Sequence, residues 1–481
     1  MIEKIKRASE HADIIEIRFD HLDPGDLDRA LSLAESERTL LFTFRPSEEG
    51  GRDLPLDERL RFWERVLNSH RNDLMIDLEC DPKLLMAIDP PGIKRIVSRH
   101  HFEGVEDLDA NWDPLAAFSD IGKIAITADD IVDTIPLWKL LDNSDQNNKK
   151  IIPIAMGEAG KWTRILGLAH GAFMTYASLD EGDETAPGQV TARDLVETYR
   201  VKELNKSTEV YGVMGDPVAS SLSPYIHNPA FASAGLNAVF VPLMVRDLDA
   251  FIERMVLPKT REIELNFRGF AVTMPHKQAI IKYLDEINPT ARTIGAVNTV
   301  KIDVDGKLTG YNTDAGGFIE PLKQRYGSLN DARVAVLGSG GAARACVYAL
   351  KQEHCEVTVF ARDGNKASIL ASEFQVRSSP LSQLTPADLD IVVNATPVGM
   401  IGGDNNDSIL NASQLKGVKF VYDLVTAPAE TMLIREAKAA GVEAIGGLEM
   451  LIAQAAKQFE IWTGHPAELD LMRASALKHV K

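Results

Sequence analysis

At 481 residues the chain is too long for one ordinary domain and too short for four, so two or three domains are expected, each with its own core. A hydrophobic fraction of 45% and a charged fraction of 25% are globular values, which exclude a disordered or fibrous chain. The net charge of −18 repels phosphate backbones and no basic patch offsets it, so nucleic acid is not an expected partner. Cys80, Cys346 and Cys355 form no C-x-x-C pair and no disulfide ladder, which suits a reducing compartment. The opening residues carry charges throughout, and no run approaches the ~20 apolar residues of a membrane span. The expectation is a cytoplasmic chain with no membrane partner; self-association into a homo-oligomer is compatible with this composition.

The chain opens on a helix-like segment, IEKIKRASEHA, and short apolar runs then recur as far as about residue 200. They are DIIEIRF (13–19), TLLFTF (39–44), LMIDL (74–78), IKRIV (93–97), IGKIAIT (121–127), KIIPIAM (150–156) and AFMTYA (172–177). Strands alternating with amphipathic stretches predict a parallel sheet. Seven of them suggest a (β/α) barrel over 1–205 that lacks its first strand, because the closed form needs eight. The polar stretch RVKELNKSTEV (200–210) marks the boundary. Beyond it, YGVMG, AVFVPLMV, GFAVTM and GAVNTVKID predict an α/β lobe over 209–315. A Rossmann-like lobe is expected over 316–447, starting with the strand, glycine turn, helix and strand of RVAVLGSGGAARACVYALKQEHCEVTVFAR (333–362). Helices in 448–481 are expected to pack back on the earlier lobe.

Parallel barrel strands are usually apolar on both faces, so charges inside them require a reason. Glu16 and Arg18, Thr43 and Arg45, Asp77 and Glu79, Ser98 and His100, and Lys123 and Thr127 each sit towards the C-terminal end of a strand, where barrel active sites are built. Lys123, desolvated in an apolar strand, would have a depressed pKa and favour the free amine that attacks carbonyls. His100 on the preceding strand could shuttle protons, and Arg45 and Arg164 could clamp an anionic substrate. RPSEEGG (45–51) and ETAPGQ (184–189) read as loops that could close over the site.

In the second half, GSGGAAR (338–344) follows a strand and opens a helix. Gly338 and Gly340 allow a tight turn and close approach of a pyrophosphate, while Ala343 takes the packing position. A lone glycine pattern is weak; its strand-to-helix context makes it a dinucleotide signal. Arg362 and Lys366 after the next strand suit the 2′-phosphate of NADP, although Asp363 could instead read the 2′-hydroxyl of NAD. Upstream, Ser221 and Ser223 present hydroxyls, and Lys277, Asn298 and Asp314 could converge on a polyol. No His, Cys and carboxylate cluster has metal-ligand spacing.

EIRFDH, TFRPSEEGG, DLE, SRHH, KIA, TRILG and APGQ, in that order, resemble the type I 3-dehydroquinate dehydratases over roughly 10–200. The resemblance implies that Lys123 forms an imine with the substrate ketone and that His100 moves protons during loss of water. It further implies that Glu16, Arg18, Arg45, Arg164, Thr185 and Gln189 contact substrate, with Glu49 as a lid residue. Thr185 stands where that family usually has serine, and His101 where an aspartate commonly follows the histidine.

GDPVASSLSPYIHN, GFAVTMPHK, GAVNTV, GYNTDAGG and GGLEMLIAQAA resemble the shikimate dehydrogenases from about 209 to 481. That resemblance implies that Lys277 and Asp314 assist proton transfer beside the reacting hydroxyl. Ser221, Ser223, Thr273, Asn298 and Gln454 would then be shikimate ligands. Gly338, Gly340, Gly341, Ala342, Arg362, Lys366, Asn394 and Thr396 would hold the cofactor, NADP. Thr426 stands where a tyrosine commonly reaches the substrate ring.

Together the halves resemble the bifunctional 3-dehydroquinate dehydratase/shikimate dehydrogenase family. Dehydration of 3-dehydroquinate followed by NADPH-dependent reduction of 3-dehydroshikimate to shikimate is the expected function. A shikimate or quinate dehydrogenase with an impaired dehydratase half, and a non-catalytic metabolite sensor, are the competing readings.

Overall fold

The computed structural model describes residues 2–480 apart from 24–25, 27–28, 30–36, 53, 69–73, 80, 90, 103–107, 109–119, 147–148 and 401–407. Cys80 lies outside the described residues. The chain divides into two compact units, Met1–Thr208 with Leu243–Asn266, and Glu209–Pro242 with Phe267–Lys481.

In the first unit, a helix over Ile2–Ala8 leads into β1 (Ile14–Arg18), followed by β2 (Thr39–Thr43), β3 (Leu74–Glu79), β4 (Lys94–His101), β5 (Ile121–Thr127) and β6 (Ile151–Met156). These six strands are all parallel and pair in sequence order, forming an open arc of a barrel. The alternation that leaves Glu16 and Arg18 half-buried on one face of β1 buries Ile15 and Ile17 on the other. Residues 172–177, expected as a seventh strand, do not form one. Phe173 donates its N–H to the Ile151 carbonyl and Ser178 bridges Thr191, but no continuous ladder develops. With no described strand on its far side, this segment lacks the two-sided pairing that holds a barrel strand in register.

Residues 243–266, read from the sequence as part of the 209–315 lobe, cluster with this first unit. Asp130 caps the short helical turn Ile131–Thr134 and accepts the backbone N–H groups of Arg246 and Asp247 at 2.7 and 2.8 Å. Glu262 receives Lys139 and Arg254 on the same segment.

The second unit contains two sheets. One uses β7 (Glu209–Gly215), β8 (Ala238–Met244), β9 (Phe267–Val272), β10 (Glu286–Ile287), β11 (Thr299–Ile302) and β12 (Leu308–Tyr311), in the order β10-β12-β11-β9-β7-β8. The other is built from β13 (Arg333–Leu337), β14 (Glu356–Ala361), β15 (Arg377–Pro380), β16 (Ile391–Asn394), β17 (Phe420–Asp423) and β18 (Glu443–Ile445). Its order, β15-β14-β13-β16-β17-β18, is parallel throughout and reverses direction at β13, the switch point where a doubly wound sheet binds nucleotides. The long helix Gly447–Thr463 packs on the helix Asp314–Tyr326. Gly317 makes this contact possible, since a Cβ there would stand 2.7 Å from the Gln454 Cβ. No helix among the described residues is long and apolar enough to cross a membrane.

Candidate active sites

Parallel register lines up the polar ends of successive barrel strands. Arg18 is level with Thr43, Thr43 with Asp77, and Ser98 with Lys123. Asp77 is the hub: its Oδ2 accepts from Lys123 Nζ at 3.1 Å and from Arg45 at 3.0 Å, and its Oδ1 accepts from the Ser98 hydroxyl. Burial alone would push the Asp77 carboxyl up, but Lys123, Arg45 and the Ser98 hydrogen bond together hold it well below the usual carboxylate range. Asp77 was visible in the sequence as part of a polar strand face; that it joins three strand ends was not.

Lys123 is only 3% exposed. Burial, reinforced by the neighbouring Arg45 charge, pushes its amine down to about 8, with Asp77 and Glu16 pulling the other way. The face of the Tyr176 ring lies 4.0 Å from its Nζ. On β4, His100 contacts Glu49 twice: its backbone N–H donates at 2.8 Å, and Nδ1 lies 2.5 Å from the same Oε2. Arg45 meets the other ring nitrogen, Nε2, at 3.1 Å. Burial and the charges of Arg45 and Lys123 push the imidazole down to about 2, so the ring is neutral. With Nδ1–H donating to Glu49, the lone pair is left on Nε2. Glu49, expected as a lid residue, is thus hydrogen-bonded to both the backbone and the ring of His100; burial pushes its carboxyl up to about 7.

Arg164, on the helix Lys161–Leu166, is 1% exposed, and its Nε and Nη2 have no hydrogen-bond partner among the described residues. Burial lowers its guanidinium to about 10. A buried cation with unpaired donors carries a desolvation cost that an anion could offset. The other expected contacts divide. Glu16 accepts from Thr43 Oγ1 at 2.7 Å and lies 3.7 Å from Arg45, inside the cluster. Arg18 is held by Asp20 in a two-pronged pair at 2.9 and 2.6 Å. Thr185 and Gln189 bond each other at the exposed rim, with the Thr185 N–H donating to Gln189 Oε1 at 2.8 Å. Glu79 turns away from the cluster to Arg59. A cavity of about 910 Å³ opens beside β1, with Glu16, Arg18, Tyr176, Thr185 and Gln189 among its walls.

In the second unit, Lys277 Nζ donates to Asp314 Oδ2 at 2.5 Å, and Asn298 Nδ2 donates to Asp314 Oδ1 at 2.7 Å. Asn298 also reaches Thr313 and Gln454, at 2.9 and 3.3 Å, while its Oδ1 accepts the Thr313 N–H at 2.7 Å. Four of the expected residues thus form one network. Thr313, which ties it together, is the neighbour of Asp314 in the GYNTDAGG run. Ser221 and Ser223 are joined to each other, the Ser223 N–H donating to Ser221 Oγ at 3.2 Å, and Thr273 donates its N–H to the Met214 carbonyl at 3.0 Å. None of these three bonds to the lysine–aspartate pair among the described residues.

The glycine turn after β13 has the conformation its sequence requires. Gly338 has φ +121°, where any Cβ would also stand 2.8 Å from the Ala395 carbonyl oxygen. Gly340 has open space around its Cα, and the helix Gly341–Gln352 begins there with its N–H groups uncapped by any side chain. Such a terminus suits a pyrophosphate. Gly341 brings the turn against Lys277, whose Cδ would lie 3.1 Å from an added Cβ, and Ala343 is fully buried in the packing position. Ala342 lies in the same first turn. Arg362 and Lys366 are exposed beyond β14 and make no ion pair among the described residues. Asp363 instead caps its own helix, accepting the N–H groups of Asn365 and Lys366 at 3.0 and 3.2 Å. Asn394 is turned inward to Asp423 at 2.9 Å and receives the Thr396 hydroxyl at 2.7 Å, fixing the turn opposite Gly338.

A lysine-bearing parallel barrel and a two-lobed nucleotide-binding unit in one chain define a two-enzyme protein. Residues 1–206 match the type I 3-dehydroquinase family model. Residues 213–300 match the shikimate dehydrogenase substrate-binding domain, 320–425 the shikimate/quinate 5-dehydrogenase model, and 447–477 the shikimate 5′-dehydrogenase C-terminal domain. The bifunctional 3-dehydroquinate dehydratase/shikimate dehydrogenase of Arabidopsis thaliana, a chloroplastic protein, is 34% identical over 98% of this chain and 81% of its own. The NADP(+) shikimate dehydrogenase of Methanocaldococcus jannaschii is 38% identical over 58% of this chain and 99% of its own. The crystal structure of Thermus thermophilus shikimate 5-dehydrogenase with NADP(H) and shikimate superposes with a TM-score of 0.51 at 39% identity, covering 56% of this chain and 99% of that one. The chain belongs to the bifunctional 3-dehydroquinate dehydratase/shikimate dehydrogenase family. Both enzyme domains are present, so neither an impaired dehydratase half nor a non-catalytic sensor is the favoured reading.

Proposed function

We propose that the chain performs two consecutive steps of the shikimate pathway, with Lys123 and His100 acting in the first and Lys277 and Asp314 in the second. The observation that carries the first step is the buried Lys123 amine, lowered to about 8 and set beside a neutral imidazole. The free amine adds to the C=O carbon of 3-dehydroquinate, and the resulting carbinolamine loses water to give an iminium. The iminium acidifies the neighbouring C–H, whose proton passes to His100 Nε2 once Arg45 turns onto the substrate. The enamine then expels the β-hydroxyl, which takes the proton from the imidazolium and departs as water. A further water hydrolyses the iminium, restoring the ketone and the amine, so one water is lost overall. Glu49 holds the ring, and the idle donors of Arg164 take the substrate carboxylate.

In the second unit the residues fit a dinucleotide. The uncapped helix start and glycine turn would hold its pyrophosphate, and Arg362 with Lys366 would hold a 2′-phosphate, since Asp363 is spent on its helix cap. NADPH, when bound, supplies a hydride. Lys277 gives a proton to the alkoxide formed from the 3-dehydroshikimate ketone, with Asp314 and Asn298 fixing its position. We assign 1–205 to the dehydratase and 209–315, 316–447 and 448–481 to the dehydrogenase, although 243–266 cluster with the first unit. Cys346 and Cys355 are free thiols, which supports a reducing, cytoplasmic setting. Borohydride added during turnover with 3-dehydroquinate tests the first step: a reduced adduct on Lys123, found by peptide mass spectrometry, is expected, and its absence overturns the assignment.

A further inference from the structure

Tyr176 belongs to neither expected site, yet its surroundings are those of a working residue. It lies on the segment that fails to become a barrel strand and is 8% exposed. Its hydroxyl is fully enclosed and has no hydrogen-bond partner among the described residues. A buried unsatisfied hydroxyl costs stability, so a site that keeps one requires an explanation. Asp77, Glu16 and Arg45, which also act on Lys123, act on the phenol electrostatically together with Arg18, and the phenol in turn acts on Arg164. The ring face lies 4.0 Å from Lys123 Nζ, and Tyr176 walls the cavity that Glu16, Thr185 and Gln189 also line. Burial raises the phenol well above its ordinary value, so it stays protonated and keeps a proton to donate to a substrate oxygen.

We infer that Tyr176 is a substrate-contact residue of the dehydratase site, its hydroxyl donating a hydrogen bond to an oxygen of the bound substrate while its ring face covers the cation that forms on Lys123. The inference rests on the Schiff-base reading above and deepens it. Lys123 carries a positive charge as ammonium and again as iminium, and an aromatic face within 6 Å stabilises either form when water is excluded. The hydroxyl, idle without ligand, gains its partner only on binding, so the two halves of the side chain have separable effects.

The test compares the parent chain with Tyr176→Phe and Tyr176→Leu, using 3-dehydroquinate turnover, borohydride trapping and thermal unfolding. Tyr176→Phe removes only the oxygen. It should leave stability equal or higher, because an unsatisfied buried group is gone, yet raise KM for 3-dehydroquinate about 5–20-fold with kcat nearly unchanged. Tyr176→Leu also removes the ring and should lower kcat and the trapping rate by a further factor of about 5–10. A purely structural tyrosine would give the opposite pattern, with lower stability and an unmoved KM. KM within twofold of the parent in Tyr176→Phe overturns the inference, as does a Tyr176→Phe chain that no longer folds. A parent chain that neither turns over nor traps 3-dehydroquinate defeats the Schiff-base reading itself, which is a distinguishable result.

Discussion

Replacing Asp77 by Asn tests how the Lys123 amine is tuned. In the parent, burial and Arg45 push the amine down and Asp77 pulls it back up, leaving it at about 8. Imine formation needs the free amine, so its rate should climb as pH rises through about 8 and level off above it. At 3.1 Å, a unit charge pair is worth about 5 kcal/mol at an effective dielectric of ~20, close to 4 pK units as an upper limit. The Asn oxygen keeps the hydrogen bond and Arg45 can lean further on Glu16, 3.7 Å away, so a drop of roughly 1–3 units is the realistic expectation. The acidic limb should therefore move down, and Asp77→Asn should form imine faster than the parent at pH 6, even though later proton transfers slow. The change also leaves Arg45 short of a partner at a cost of about 3–5 kcal/mol, so the assay must count only folded, trappable chains. Single-turnover borohydride trapping across pH, read as the fraction of chain mass shifted, does this. A limb that stays in place, or moves to higher pH, would mean that Asp77 does not hold the Lys123 amine up.

Glu49→Gln should lower dehydratase kcat by about 10–100-fold while leaving the trapped adduct on Lys123 intact, because only the ring partner is altered; peptide mass spectrometry with turnover assays separates the two. Lys277→Met should reduce 3-dehydroshikimate reduction by roughly 10²–10⁴-fold and leave dehydration within about twofold, measured spectrophotometrically on the same sample. Simultaneous loss of both activities would contradict separate sites. Gly338→Ala strains a turn at φ +121° by about 1–3 kcal/mol and should raise the KM for NADPH at least several-fold, with dehydration again preserved.

Much of the first site was legible because a parallel strand repeats every two residues. Glu16, Asp77, Ser98 and Lys123 each interrupt an apolar run, and the register then brings their ends level. What the pattern could not convey was convergence. Asp77 looks like one polar residue among ten until Lys123, Arg45 and Ser98 are seen to share it. Glu49 sits on a loop whose glycines suggest a lid, and its contact with His100, 51 residues away, has no trace in that local pattern. Tyr176 reads as core in an apolar run, since nothing in sequence distinguishes a satisfied phenol from an idle one. The 172–177 run has strand composition, but pairing depends on neighbours that local composition does not encode. The contacts of 243–266 within the first unit, among them Asp130 with two backbone N–H groups and Lys139 with Glu262, likewise leave no periodic trace. In the second unit, the glycine turn is legible because its motif is local, whereas the Lys277–Asp314 pair, 37 residues apart, comes from the family resemblance. Asn298 and Gln454 come together only as substrate ligands that the family resemblance implies, and their contact across 156 residues is seen only in the structure.

The two units imply both activities in one chain, at separate sites. Purified protein given 3-dehydroquinate and NADPH, with no other enzyme present, tests it directly. Absorbance of the conjugated 3-dehydroshikimate should rise first, and NADPH oxidation should follow after a lag. NADPH oxidation that appears only when a separate dehydratase is added would contradict the account.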